Sequence, residues 1–126
     1  VKRGFPATKN APPEPGRIIT MPQHNSPLES SLKKAVLKHL ATIRRGDQTL
    51  AFRKRHGSAM TLAGDPDITG LWRGVHFEIE LKREGESPTL LQTARAREWT
   101  QAGAKYAVVR SLDDLYAFLL DIAPRT

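Results

Sequence analysis

Cysteine is absent from the chain, so no disulfide framework staples it and no thiolate site can hold a metal. That absence fits a reducing interior, and the expected location is intracellular and cytoplasmic. No apolar run approaches the roughly 20 residues needed to cross a bilayer, and the amino-terminal stretch lacks the apolar core of a secretory signal. Internal repeats and coiled-coil heptads are missing too, which excludes repeat arrays and long zippers. Acidic residues are in short supply: 13 Asp and Glu face 20 Lys and Arg, a net charge of +7. Such an excess favours a polyanionic partner such as nucleic acid, and membrane-surface and ordinary soluble proteins share it. At 126 residues the chain has room for one domain and one modest core.

The most informative stretch runs from Gly64 to Lys82. Val75, Phe77, Ile79 and Leu81 alternate with His76, Glu78, Glu80 and Lys82, the period of a strand whose two faces differ in polarity. Glu80 and Lys82 therefore share a face. Pro66 biases Asp65 toward an extended backbone, and Arg73-Gly74 between two apolar runs predicts a tight hairpin. Asp67 then enters a strand antiparallel to the one carrying Glu80. Two carboxylates held this close repel each other, and a hard divalent cation between them relieves that repulsion. A Lys beside the ion can orient or activate a water and offset charge on a phosphorane-like transition state. The plainer reading of the same spacing is a solvated polar strand face with an ordinary Glu-Lys pair.

The flanking chain supplies helices and a sheet. Residues 1–25 hold five prolines and little apolar periodicity, which predicts an extended basic arm, with the folded domain expected over 26–123. Ser26, Pro27 and Glu29 form a capping-box start for a helix whose stripe is Leu28, Leu32, Ala35, Val36, Leu40 and Ile43. Thr49 to Lys54 reads as a strand that runs into a basic, glycine-containing loop. Arg53, Lys54, Arg55, His56 and Ser58 there are placed to hold phosphates, or else form a solvated surface loop. Lone histidines without partners at ligand spacing, such as His56 and His76, are not read as metal ligands. A second helix follows Thr89, spans Leu90 to Ala102 and stops at Gly103. Leu91, Ala94, Trp99 and Ala102 are its expected core residues, and Arg95 and Arg97 lie on flanking faces open to DNA or water. Gln92 matches a capping box with Thr89. Tyr106 to Val109 reads as a short strand, buried if it pairs inside a mixed sheet, and Ser111 caps a last helix ended by Pro124. The expected class is α/β, a mixed sheet flanked by helices in the order α-β-β-β-α-β-α.

Gly64-x-Pro66-Asp67, a short hairpin, Glu80-x-Lys82, then a helix bearing Gln92 resemble the PD-(D/E)xK nucleases, most closely the VRR-NUC (virus-type replication and repair nuclease) family. The resemblance covers about Pro27 to Leu120. It implies a restriction-endonuclease-like core with Asp67, Glu80 and the Leu81 carbonyl as ligands of Mg2+ or Mn2+. It also implies Lys82 as the catalytic lysine, with Gln92 and Glu29 as further site residues. Glu29 keeps two readings, a cap or an acid reaching the site, and Gln92 can cap, bond the lysine or touch a phosphate. Asp65 departs from the family pattern, where a small or apolar residue stands more often. The implied activity is metal-dependent hydrolysis of DNA in a bacterial or phage-infected cell. Standalone members resemble Holliday-junction resolvases, which implies branched DNA as substrate and a homodimer with two sites. Nucleases of flap, linear DNA or RNA, and a non-catalytic nucleic-acid-binding module, are the alternatives.

Overall fold

The computed structural model of the chain describes residues 27–55 and 62–123. The amino-terminal arm, the Ser26 cap, His56, Ser58 and Pro124 lie outside the described residues. The elements follow in the order α1 (Pro27–Gly46), β1 (Leu50–Lys54), β2 (Ile68–Trp72), β3 (Val75–Leu81), α2 (Leu90–Gln101), β4 (Lys105–Val109) and α3 (Leu112–Ile122). This is the expected α/β order. The strands form one sheet, β1-β2-β3-β4, in which β1, β2 and β3 are antiparallel neighbours and β4 runs parallel to β3. Among the described residues no helix is long and apolar enough to cross a membrane.

The hairpin between β2 and β3 forms where Arg73-Gly74 predicts it. Arg73 and Gly74 have φ of 52° and 81°, the left-handed pair that a two-residue turn needs to match strand twist. Asp47, in the turn before β1, ties this end down. It accepts from Thr49 and from the Trp72 indole at 2.9 Å, and those donors hold its carboxyl well below the usual carboxylate range.

One face of the sheet is the core. Leu50, Ile68, Phe77, Ile79, Leu81 and Val109 are buried there against Val36 and Leu40 of α1 and Leu115, Phe118 and Leu119 of α3. Gly70 is obligatory for this packing: a Cβ there would meet the Phe77 ring at 2.4 Å and the Ala51 carbonyl at 2.6 Å. The freed space lets Phe77 reach Phe118 edge-to-face, ring centres 6.3 Å apart. Of the stripe read from α1, Val36 and Leu40 are buried and Leu32 and Ile43 pack against them.

The opposite face lies under α2, and the expected core of that helix changes there. Leu91 is 43% exposed, and Ala94 and Ala102 are exposed too, whereas Ala96 is buried. The side of α2 that meets the sheet is Gln92, Ala96 and Trp99, at helical spacing but led by an amide, so an apolar stripe was the wrong guide. The polar face of β3 is no solvated surface either: Glu78 is 0% and Glu80 2% exposed. The strand Tyr106 to Val109, expected to be buried if it paired inside the sheet, is part of β4, which pairs at the sheet edge with only Val109 buried.

Candidate active site

Asp67 sits one residue before β2, and extending the β2–β3 register by one step places it opposite Glu80. Its carboxylate is fixed by the backbone of the facing strand, the Leu81 N–H donating to Asp67 Oδ2 at 2.8 Å. Glu80 is buried beside it. Glu80 Oε2 accepts from Gln92 Nε2 at 3.1 Å, while Glu80 Oε1 is buried with no hydrogen-bond partner among the described residues. Burial foremost, then the neighbouring Asp67 carboxylate, push the Glu80 carboxyl up to about 9, with Lys82 opposing. Lys82 follows β3 directly and is half-buried, its N–H bonded to the Val109 carbonyl at 3.2 Å.

Gln92 does two jobs at once. Its Oε1 accepts from the Thr89 N–H at 2.9 Å, and Thr89 Oγ1 accepts from the Gln92 N–H at 3.1 Å, completing the capping box. The cap thereby turns the amide nitrogen toward Glu80, so cap and site fix one another. The sequence reading offered capping, a bond to Lys82 or a phosphate contact; the cap forms, the amide nitrogen goes to Glu80 instead, a partner that reading did not name, and no Gln92–Lys82 bond is among the contacts of the described residues.

Glu29, in the first turn of α1, comes to the same place. Burial raises its carboxyl, with Glu86 and Asp67 adding to the effect and Lys82 and Arg83 opposing it, so it lies within electrostatic reach of Asp67 and Lys82. Tyr106 on β4 is a neighbour that the sequence reading took only as part of an apolar strand. Burial, then the charges of Glu80 and Asp67, push its hydroxyl up to about 12. Its place on the register, opposite Glu78, was the signal that only the parallel pairing made visible.

The basic candidates separate. Arg53 and Lys54 are exposed on β1. Arg95 is half-buried, donating to the Ala63 carbonyl at 3.2 Å. Arg55 points inward instead: it pairs with both oxygens of buried Glu78 and donates to the Pro66 carbonyl at 2.9 Å. Asp65 accepts from the Trp99 indole at 3.1 Å, so this unusual carboxylate ties the Pro66 loop to α2. His76 holds Glu78 Oε2 at 2.6 Å. Beyond it the same sheet face opens into a cavity of about 360 Å3 bordered by Ala51, Arg53, Thr69 and Leu71.

Two solved structures align with the fold of this chain over most of its length. One, described as a VRR_NUC domain, is 22% identical with a TM-score of 0.61 and covers 79% of this chain and 100% of its own. The second, a VRR_NUC domain protein, is 17% identical with a TM-score of 0.58, over 79% and 91% of the two chains. The chain has the VRR-NUC fold. No family model and no curated protein matches the sequence. At one end of β3 Asp67 stands opposite Glu80, Lys82 follows directly, and Gln92 reaches Glu80 from the first turn of α2.

These residues fit a magnesium-type ion by the chemistry of the donor set. Among the described residues no three His, Asp or Glu side chains converge closely enough to hold an ion alone. Magnesium takes one or two carboxylates and keeps waters or phosphate oxygens for the rest. A buried carboxylate oxygen without a donor, facing a second carboxylate, is the kind of group such an ion satisfies.

Proposed function

We propose that the chain is a metal-dependent DNA endonuclease that hydrolyses phosphodiester bonds, with its catalytic unit over 26–123. The observation that carries this reading is buried Glu80, held by Gln92 on one oxygen and with no hydrogen-bond donor among the described residues on the other, opposite Asp67. Burying two carboxyl groups side by side is costly, enough to push the Glu80 carboxyl up to about 9, and a site that hydrolyses phosphate esters supplies a reason to retain such a pair. Asp67, Glu80 and the Leu81 carbonyl would hold Mg2+ or Mn2+, which when bound polarises the phosphate and lowers the pKa of a water. Lys82 positions that water and offsets the charge that develops on the phosphoryl oxygens. Glu29 adds a carboxylate on the α1 side, and Gln92 keeps Glu80 aimed. Arg53 and Lys54, exposed along β1, and Arg95 take the flanking phosphates, while the net charge of +7 draws in the polyanion.

Within this reading the substrate is branched DNA and the active form a homodimer, because two symmetric incisions call for two sites related by a twofold axis. That extension rests on the likeness to standalone VRR-NUC proteins. The test is a cleavage assay on four-way junction, flap, duplex and single-stranded DNA, and on RNA, with magnesium or with chelator. Paired symmetric cuts in the junction, absent with chelator, are the expected result. Cleavage that persists in chelator overturns the metal-dependent reading, and binding without cleavage on every substrate leaves a non-catalytic binding module. Light scattering gives the assembly: a mass near that of one chain defeats the dimer.

A further inference from the structure

The ladder pairings stop one residue short of Asp67. The last pairs are Lys54 with Ile68 on one side and Ile68 with Ile79 on the other. What holds the Asp67 backbone beyond the ladder is Arg55. Its N–H donates to the Asp67 carbonyl at 2.8 Å, and its guanidinium Nη1 donates to the Pro66 carbonyl at 2.9 Å. One residue thus grips the carbonyls of both Pro66 and Asp67.

The guanidinium is itself held on every side. Glu78 takes Nη1 on Oε1 and Nη2 on Oε2, the latter at 3.3 Å. Thr69 Oγ1 and His76 Nε2 each reach Glu78 Oε2 at 2.6 Å. The Trp99 ring covers the guanidinium at 5.1 Å and stands edge-on to His76 at the same separation. Arg55 is 16% and Glu78 0% exposed at the side chain. Glu78 therefore has donors on both oxygens, whereas Glu80, two residues on and on the same face, lacks one on Oε1.

A buried ion pair is a poor way to gain stability, because desolvation offsets its attraction and apolar packing would serve as well. A planar fork, however, can fix an angle that packing cannot, and a lysine has no fork. We infer that Arg55 and Glu78 are positioning residues for Asp67: Glu78 locks the guanidinium, and the guanidinium sets the backbone from which the Asp67 carboxylate reaches Leu81 N–H and the metal position. The inference rests on the reading of Asp67 as a metal carboxylate, and it reassigns Arg55 from phosphate holding to the support of that ligand.

The test uses the full chain without DNA and two readouts: manganese affinity by calorimetry and paramagnetic resonance, and the 15N–1H resonance of the Leu81 amide. Arg55→Lys and Glu78→Gln should each weaken manganese about 10-fold or more, the usual effect of losing a ligand's support. Both should also move the Leu81 amide toward its position in Asp67→Asn. Phe118→Leu, a core change on the other face of the sheet, should lower the melting temperature while leaving both readouts unchanged, which separates positioning from general destabilisation. If Arg55→Lys fails to fold, near-isosteric Glu78→Gln carries the measurement. Wild-type affinity together with an unmoved Leu81 amide in the folded variants overturns the inference. A wild type that binds no manganese sinks the metal reading instead, and the Leu81 amide alone then decides the positioning role.

Discussion

The two faces of the sheet are built from the same strands and obey different rules. On the α1–α3 face, Phe77, Ile79 and Leu81 of β3 are buried among aliphatic and aromatic side chains, and every buried group gains from being there. On the α2 face, Glu78 and Glu80 of the same strand are buried as fully, and each costs free energy unless something satisfies it. Glu78 is satisfied within the chain by Arg55, Thr69 and His76; among the described residues Glu80 has a donor on one oxygen only. The difference separates a carboxylate that belongs to the scaffold from one that waits for chemistry, although alternation along β3 presents them identically.

The comparison can be broken most severely on the apolar face. Phe77→Ala removes the ring that fills the space over Gly70 and should cost about 3–5 kcal/mol, enough to unfold much of a small domain in a denaturant titration. A loss under about 1 kcal/mol, too small for a buried ring of that size, would show that this face is not the main source of stability.

On the other face, Lys82→Ala should lower cleavage by about 100-fold or more, the scale of losing one electrostatic contact in the transition state. DNA affinity should stay near that of the wild type because other cations hold the phosphates. Magnesium-dependent cleavage at the wild-type rate by this variant would remove Lys82 from the mechanism.

Glu80 gives a pH signature of defined sign. Its carboxyl keeps a proton in the folded chain up to about 9, against an ordinary value of 4.5. The unfolded chain releases that proton first, so the contribution of Glu80 to metal-free stability is fully present below about 4.5 and is lost as pH rises toward about 9. Glu80→Gln should flatten that slope and melt several degrees above the wild type at pH 8 in chelator. Magnesium should recover the loss in the wild type and do so less in Asp67→Asn. Calorimetric scans at pH 5, 7 and 9 with and without magnesium check all three statements, and equal magnesium shifts in wild type and Asp67→Asn would exclude Asp67 as a ligand.

The smallest effect sharpens the role of Gln92. Thr89→Ala and Gln92→Ala both open the capping box and should cost about 1 kcal/mol each. Only Gln92→Ala also strips the donor from Glu80, so only it should slow cleavage beyond what its lost stability explains. Equal rates for the two variants would confine Gln92 to capping.

Much of this architecture was legible from periodicity and local chemistry. The alternation of β3, the Arg73-Gly74 turn and the Thr89–Gln92 box are decided by near neighbours, so the hairpin, the facing of Asp67 and Glu80, and the start of α2 follow from the residues themselves. The stripe of α1 is legible for the same reason, since Val36 and Leu40 bury an unbroken apolar face. What the chain alone did not disclose depends on groups far apart in sequence. Which face of α2 turns inward depended on a sheet that offers carboxylates, so Gln92, Ala96 and Trp99 bury where Leu91 and Ala94 do not. Arg55 reads as a loop cation until β3 places Glu78 beneath it, 23 residues away. Tyr106 joins the site only through the parallel pairing of β4. Hydrophobic pattern and turn chemistry act over a few residues and set which side chains share a face; the burial of a charge, and whether it finds a partner, is settled only when separate elements close over it.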